Sequence, residues 1–362
     1  MIDIKATHCN FVREPLIAPF GFKGESIEEL WQTVALMESH KGSSGLGLGV
    51  QSVLWSDSRV FEEAGDLGGN NIMFLIMNYA LRVAQGMSFS TPIELLDKIL
   101  PKAYEYGRHI TGDDNLRETF VLNALTPVDL AAWMLYFKEK GLETFDNIIL
   151  PEYSDALSYR HSKLASIPLI AYGIPIEEVI EHVEAGYFLL KIKIGSDPEK
   201  DGDLDKMLEW DKERLLEIHE AVKGYETDHT RNRKIAYYLD ANGRYDSKER
   251  LMDLLDYANT IGALDSIIIL EEPFPENVKI DVSDVPVNVA ADESAHSDSD
   301  VLERIELGYG AIALKPIAKT LSMSFKMAKI AHEHDIPCFC ADLTVNPIMV
   351  DWNKNIAARL KP

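Results

Sequence analysis

The sequence predicts an α/β protein: a TIM-like (β/α)7β barrel preceded by a separate N-terminal α+β domain. Two observations predict it. From about residue 165 short apolar, β-branched runs alternate with helical segments, and seven such runs follow one another. That repetition implies a parallel sheet, and so many units point to a barrel rather than an open doubly wound sheet. Residues 1–150 lack the alternation, which places a domain boundary near 150 and gives residues 151–362 to the barrel.

In chain order, "MIDIKATHCNF" opens as a strand, and "GLGLGVQSVLWSD" (45–57) alternates glycine with apolar residues. The stretch "GSSGLGLG" lacks the Lys-Ser/Thr of a phosphate-binding loop and no βαβ unit follows it, so it reads as strand or turn. Helical spacing follows in "NNIMFLIMNYALRVAQG" and "TPIELLDKILPKAYEYGRHI". The barrel strands are expected at 167–174, 187–194, 234–240, 266–272, 285–290, 310–316 and 336–342. Between them lie "IEEVIEHVEAG", "LDKMLEWDKERLLEIHEAV", "KERLMDLLDYANTIG", "SDVLERIELG" and "SMSFKMAKIAHEH". In the second of these, Leu204, Leu208, Leu215 and Val222 line one helical face.

Composition narrows the function. Lysine and arginine number 36 against 59 aspartates and glutamates, a net charge of −23. Such a field repels phosphate, which argues against nucleic acid or an anionic membrane as partner. An acidic substrate would need a local positive site. No run of 18 or more apolar residues suggests a membrane span. The N-terminus shows no basic region followed by an apolar core, and the three cysteines form no evident disulfide framework. The expectation is a cytoplasmic protein.

Chemistry in a barrel sits at the C-terminal ends of its strands. Those ends carry Lys191 and Lys193, then Asp240, then Glu271 and Glu272, then Asp292 and Glu293, then Lys315. In "YFLLKIKIGSD" the two lysines are two residues apart, so a strand points both to one side. Crowded carboxylates would protonate unless a cation lay among them, and Mg²⁺ accepts such oxygen ligands. Each residue alone has a plainer reading. Asp240 fits a turn cap equally well, Glu271 and Glu272 a solvated loop, and Lys315 a side chain reaching the surface. Ser297 or Ser299 suits the helix N-cap near Val301 better than Asp292 does. The ordered set on consecutive strands is the stronger signal.

With these residues the chain resembles the enolase superfamily, in its muconate lactonizing enzyme and dipeptide epimerase-like subgroup. The Lys-x-Lys is matched by "KIK" (191–193), the metal ligands by "LDAN", "LEEP" and "ADES", and the sixth-strand lysine by "ALKP". The resemblance implies that Asp240, Glu271 and Asp292 bind one Mg²⁺ per subunit, with Mn²⁺ as an alternative. It implies that Lys193 and Lys315 are acid/base catalysts on opposite faces of a small carboxylate. Lys191 would lower the pKa of Lys193 and touch the substrate carboxylate. Asn242, Glu272 and Glu293 would stand near the metal, and Phe20 and Phe22 in "APFGF" would belong to a capping-domain loop that closes over the substrate. Asp342 would take the place of the usual Glu-containing seventh-strand turn. A homo-oligomer is implied as well.

The chain departs from the family after Lys315, where "KPIAKTLSMS" replaces a Gly-Gly. Only about twenty residues follow Asp342, enough for a helix but not for an eighth strand and tail. The expected activity is an isomerase that removes a proton α to a carboxylate through a metal-stabilised enediolate, foremost a racemase or epimerase of an amino-acid derivative or dipeptide. Cycloisomerisation or syn-dehydration, as in muconate lactonizing enzyme or o-succinylbenzoate synthase, is the alternative. A Schiff-base lyase using one of the lysines and a non-catalytic barrel are the further ones.

Overall fold

A computed structural model of the chain describes residues 1–22, 25–341 and 345–361, without side-chain detail for 18–22 and 25–26. Contacts divide the chain into two compact units. One comprises Met1–Ser162, His296–Asp298 and Ala313–Pro362, and the other Lys163–Ala295 and Ser299–Ile312.

The first unit begins with β1 (Ile2–Phe22), β2 (Glu25–Ser39) and β3 (Ser44–Gln51), followed by α1 (Val53–Ser56) and α2 (Ser58–Ala84). Then come β4 (Ser88–Phe89), α3 (Pro92–Thr111) and α4 (Glu118–Lys140). The strands form an antiparallel sheet of order β3-β2-β1-β4. From Trp31 the buried residues of β2 alternate as Trp31, Thr33, Ala35, Met37 and Ser39, the period of a strand with one covered face. What covers it is α4, which packs on β2 and β3. The alternate glycines of β3 explain how close that packing is. A Cβ on Gly47 would lie 2.0 Å from the Pro127 carbonyl oxygen, and one on Gly45 2.1 Å from that of Ala131. The "GLGLG" segment is thus a strand on which a helix rests, not a phosphate loop. By length and composition α4 could cross a membrane, but 83% of its apolar window is buried as core. Residues 18–22, expected as a loop, continue β1, with Phe20 opposite Ile27 and Phe22 opposite Glu25 on β2.

The barrel elements follow in strict order: β5 (Leu169–Ile170), α5 (Ile176–Glu184), β6 (Leu189–Lys193), α6 (Leu204–Val222), β7 (Ala236–Asp240), α7 (Lys248–Thr260) and β8 (Ile267–Glu271). β9 (Val289–Ala291), α8 (Asp298–Glu306), β10 (Ala311–Leu314), α9 (Leu321–Glu333), β11 (Cys338–Cys340) and α10 (Val350–Ala357) complete it. The seven strands form one sheet in sequence order, and each pair from β5 to β10 is parallel. This is the (β/α) barrel architecture, and the described residues contain no eighth strand. β9 begins at Val289 rather than near 285, because Pro286 has no N–H to give to a ladder. Helix starts follow side-chain capping: Asp203 accepts the amides of Asp205 and Lys206 at the start of α6, and Ser247 that of Arg250 at the start of α7. α8 begins at Asp298, directly after Ser297.

Candidate active site

The strand register sets the site. Lys193 on β6 lies opposite Asp240 on β7, and Asp240 opposite Glu271 on β8. Glu271 in turn lies opposite Ala290 on β9, two residues before Asp292. One row of the parallel sheet therefore ends in charge on three adjacent strands, with a fourth charge one strand period further on.

The side chains converge accordingly. Lys193 Nζ donates to Asp240 Oδ2 at 2.6 Å and to Asn242 Oδ1 at 2.5 Å. Lys191 Nζ lies 2.8 Å from the same Asp240 oxygen and 2.7 Å from Glu271 Oε2. The Tyr238 hydroxyl donates to that Glu271 oxygen too, and Lys191 Nζ stands 4.6 Å from the centre of the Tyr238 ring. Tyr238 precedes Asp240 by one strand period, so both point to the same side. Asn242, at φ +45°, donates through Nδ2 to Glu293 Oε1 at 2.9 Å and links Lys193 to the acids beyond β9.

Electrostatics follow from this crowding. Burial alone would raise the Asp240 carboxyl, but the ammonium groups of Lys191 and Lys193 bring it down to about 2. Burial would lower Lys191, yet Asp240 and Glu271 hold it well above the usual lysine range. Lys191 bridges two carboxylates and shares an Asp240 oxygen with Lys193.

Glu271, Asp292 and Glu293 each place a carboxylate oxygen within 4.8 Å of the others, and all three are buried. Glu293 Oε2 has no hydrogen-bond partner among the described residues. Buried like charges this close call for a cation or a proton between them, and an all-oxygen donor set suits a hard divalent ion. The residues fit Mg²⁺. Glu272 serves the backbone instead. Its Oε2 accepts the amides of Asp292 and Ser294 at 2.7 and 3.2 Å and the Ser294 hydroxyl at 3.0 Å. Burial first, then Glu293 and Asp292, push Glu272 up to about 7.

Lys315 follows β10 in the other compact unit. It is 5% exposed, with Nζ 4.5 Å from the ring centre of Trp55 on α1. Asp342 lies outside the described residues, and so do the side chains of Phe20 and Phe22. Tyr238 and Trp55 escaped the sequence reading because an aromatic in an apolar run reads as core. For Tyr238 the available signal was its place two residues before Asp240.

The comparisons with known proteins bear on this geometry. Residues 176–359 match the enolase C-terminal domain-like family. The chain belongs to this family. Among curated proteins it is similar to the L-Ala-D/L-Glu epimerase of Clostridium acetobutylicum, 25% identical over 353 residues, covering 95% of this chain and 83% of that one. Among solved structures it resembles a dipeptide epimerase from Enterococcus faecalis complexed with Mg and the dipeptide L-Leu-L-Tyr. There the TM-score is 0.68 at 20% identity, over 99% of this chain and 88% of that one. An N-succinyl Arg/Lys racemase from Bacillus cereus gives a TM-score of 0.67 at 17% identity, over 99% and 85%. These structural likenesses carry the enolase-superfamily fold, a barrel with its separate N-terminal domain.

Proposed function

We propose that this member of the enolase superfamily is an isomerase that moves a proton on the carbon α to a carboxylate, acting as a racemase or epimerase of an amino-acid derivative or dipeptide. The observation that carries the reading is the convergence of Lys191 and Lys193 on Asp240 and Glu271, with Asp292 and Glu293 beside them. The activities named for the epimerase and racemase relatives support the substrate class.

Asp240, Glu271 and Asp292 would hold Mg²⁺, with Glu293 alongside. When bound, the cation supplies Lewis-acid stabilisation of charge developing on the substrate carboxylate. The protein's own groups supply the rest. Asp240 and Asn242 fix Lys193 Nζ where it takes the α-proton or returns it. Lys191 adds positive charge for the substrate carboxylate. Glu272 holds the backbone that presents Asp292. The resemblance assigns the second proton transfer to Lys315.

Incubation with a library of dipeptides and N-acyl amino acids in D₂O, with Mg²⁺ or with EDTA, tests this. The expected outcome is α-deuteration of at least one class that requires the metal. No metal-dependent exchange across the library would overturn the reading, and borohydride trapping of a carbonyl substrate on a lysine would replace it with Schiff-base chemistry.

A further inference from the structure

Asp211 stands where a leucine would be expected. It lies on α6 in line with Leu208, Leu215, Ile218 and Val222, within the stripe the helix buries, and is itself wholly buried. A carboxylate there is costly unless satisfied. Its donors come from two loops. The Gly195 amide lies 2.9 and 2.7 Å from its two oxygens, and the Tyr245 hydroxyl donates to Oδ2 at 2.7 Å.

Gly195 is two residues beyond Lys193, and the backbone beside it is held too. The Ile194 amide donates to the Asp240 carbonyl at 3.0 Å, and the Ile194 carbonyl accepts the Tyr172 hydroxyl at 3.0 Å. Gly195 has φ +83°, and a Cβ there would lie 2.5 Å from Arg244 Cβ. Tyr245 is buried, and its amide donates to the Pro273 carbonyl at 2.9 Å. The clamp therefore runs from α6, through the exit of β6, to the loops after β7 and β8.

We propose that Asp211 is a positioning residue: held by Tyr245, its buried carboxylate fixes the exit of β6 through the Gly195 amide and so sets the direction of Lys193. The proposal rests on the proton-transfer reading of Lys193 given above. A carboxylate suits the task because it accepts from an amide and a hydroxyl at once. Asparagine keeps one acceptor for Gly195 and offers a donor to the tyrosine oxygen, so Asp211→Asn should preserve the clamp where Asp211→Ala removes it.

Two readouts on the full-length protein with Mg²⁺ test this. The first is reductive methylation followed lysine by lysine by mass spectrometry. Asp211→Ala should raise the rate at Lys193 at least threefold, leave the surface lysines Lys279 and Lys354 unchanged, and be rescued by Asp211→Asn. The second is D₂O exchange of each antipode of a substrate that the wild type exchanges. One antipode should slow at least tenfold while the other stays within threefold. Tyr245→Phe should shift both readouts the same way and replaces Asp211→Ala if that variant does not fold. Unchanged Lys193 labelling, or equal slowing of both antipodes, overturns the proposal. Absence of exchange in the wild type would sink the functional reading instead, while the labelling still decides whether Asp211 holds Lys193.

Discussion

Lys193 sits at the meeting point of the site, with Nζ shared between Asp240 and Asn242. Removing one member of a buried ion pair typically costs roughly 3–5 kcal/mol in stability, so activity must be read on folded variants. If two lysines exchange the α-proton, Lys193→Ala should lower racemisation by roughly 10²–10⁴-fold, the usual contribution of a general acid or base. It should still exchange one antipode in D₂O, while Lys315→Ala spares the other, as followed by loss of the α-proton NMR signal. A loss confined to one variant, with the other silent, contradicts two-base chemistry and fits a cycloisomerase or dehydratase. At this scale the sequence was informative because a strand period of two and an apolar-to-polar boundary mark Lys191, Lys193, Asp240 and Glu271 without a structure. Asp211 was passed over because a search for apolar spacing skips a polar residue. An acid three residues after Leu208 and four before Leu215 was the overlooked signal.

Among the elements, α4 and β2 were the hardest to foresee. α4 is buried on nearly all sides, so its apolar residues do not form the one-sided stripe that marks a surface helix. β2 carries many good helix formers in "ESIEELWQTVALMES", and antiparallel pairing with both β1 and β3 overrides that local preference. The barrel helices face solvent on one side, and their spacing predicts their bounds closely. Inside the first unit α4 also carries Asp129, which accepts the Ser322 amide at 3.0 Å and the Ser322 hydroxyl at the start of α9. Burial pushes Asp129 up to about 6 from 3.8. A carboxyl whose folded pKa is raised stabilises the fold fully below its unfolded pKa and loses that contribution as pH rises through its folded value. Wild type should therefore lose about 3 kcal/mol relative to Asp129→Asn between pH 3 and pH 8. Urea unfolding of both proteins across that range measures it, and a difference independent of pH would contradict the assignment.

Over the whole molecule, a charge of −23 makes it hard for a carboxylate substrate to approach unless positive charge is concentrated locally. At the ends of β6–β9 two lysines meet four buried acids, Asp240, Glu271, Asp292 and Glu293, so the lysines alone leave the site acidic and the remaining positive charge would come from a bound divalent cation. The parallel architecture makes this arrangement cheap to build, since adjacent in-register strands place their last residues side by side. It also explains why the fold was more legible than the chemistry. Seven strands recur along the chain, all but β8 followed by a helix, whereas no period predicts which side chains would set the substrate, and the positions expected for that role, Phe20, Phe22 and Asp342, lie where the structure describes no side chain. Titration calorimetry with Mg²⁺ decides whether these buried carboxylates hold a divalent cation. One ion should bind per chain in the wild type, with affinity lowered at least tenfold in Glu271→Gln. No binding heat in the wild type, or equal affinity in the variant, would contradict it.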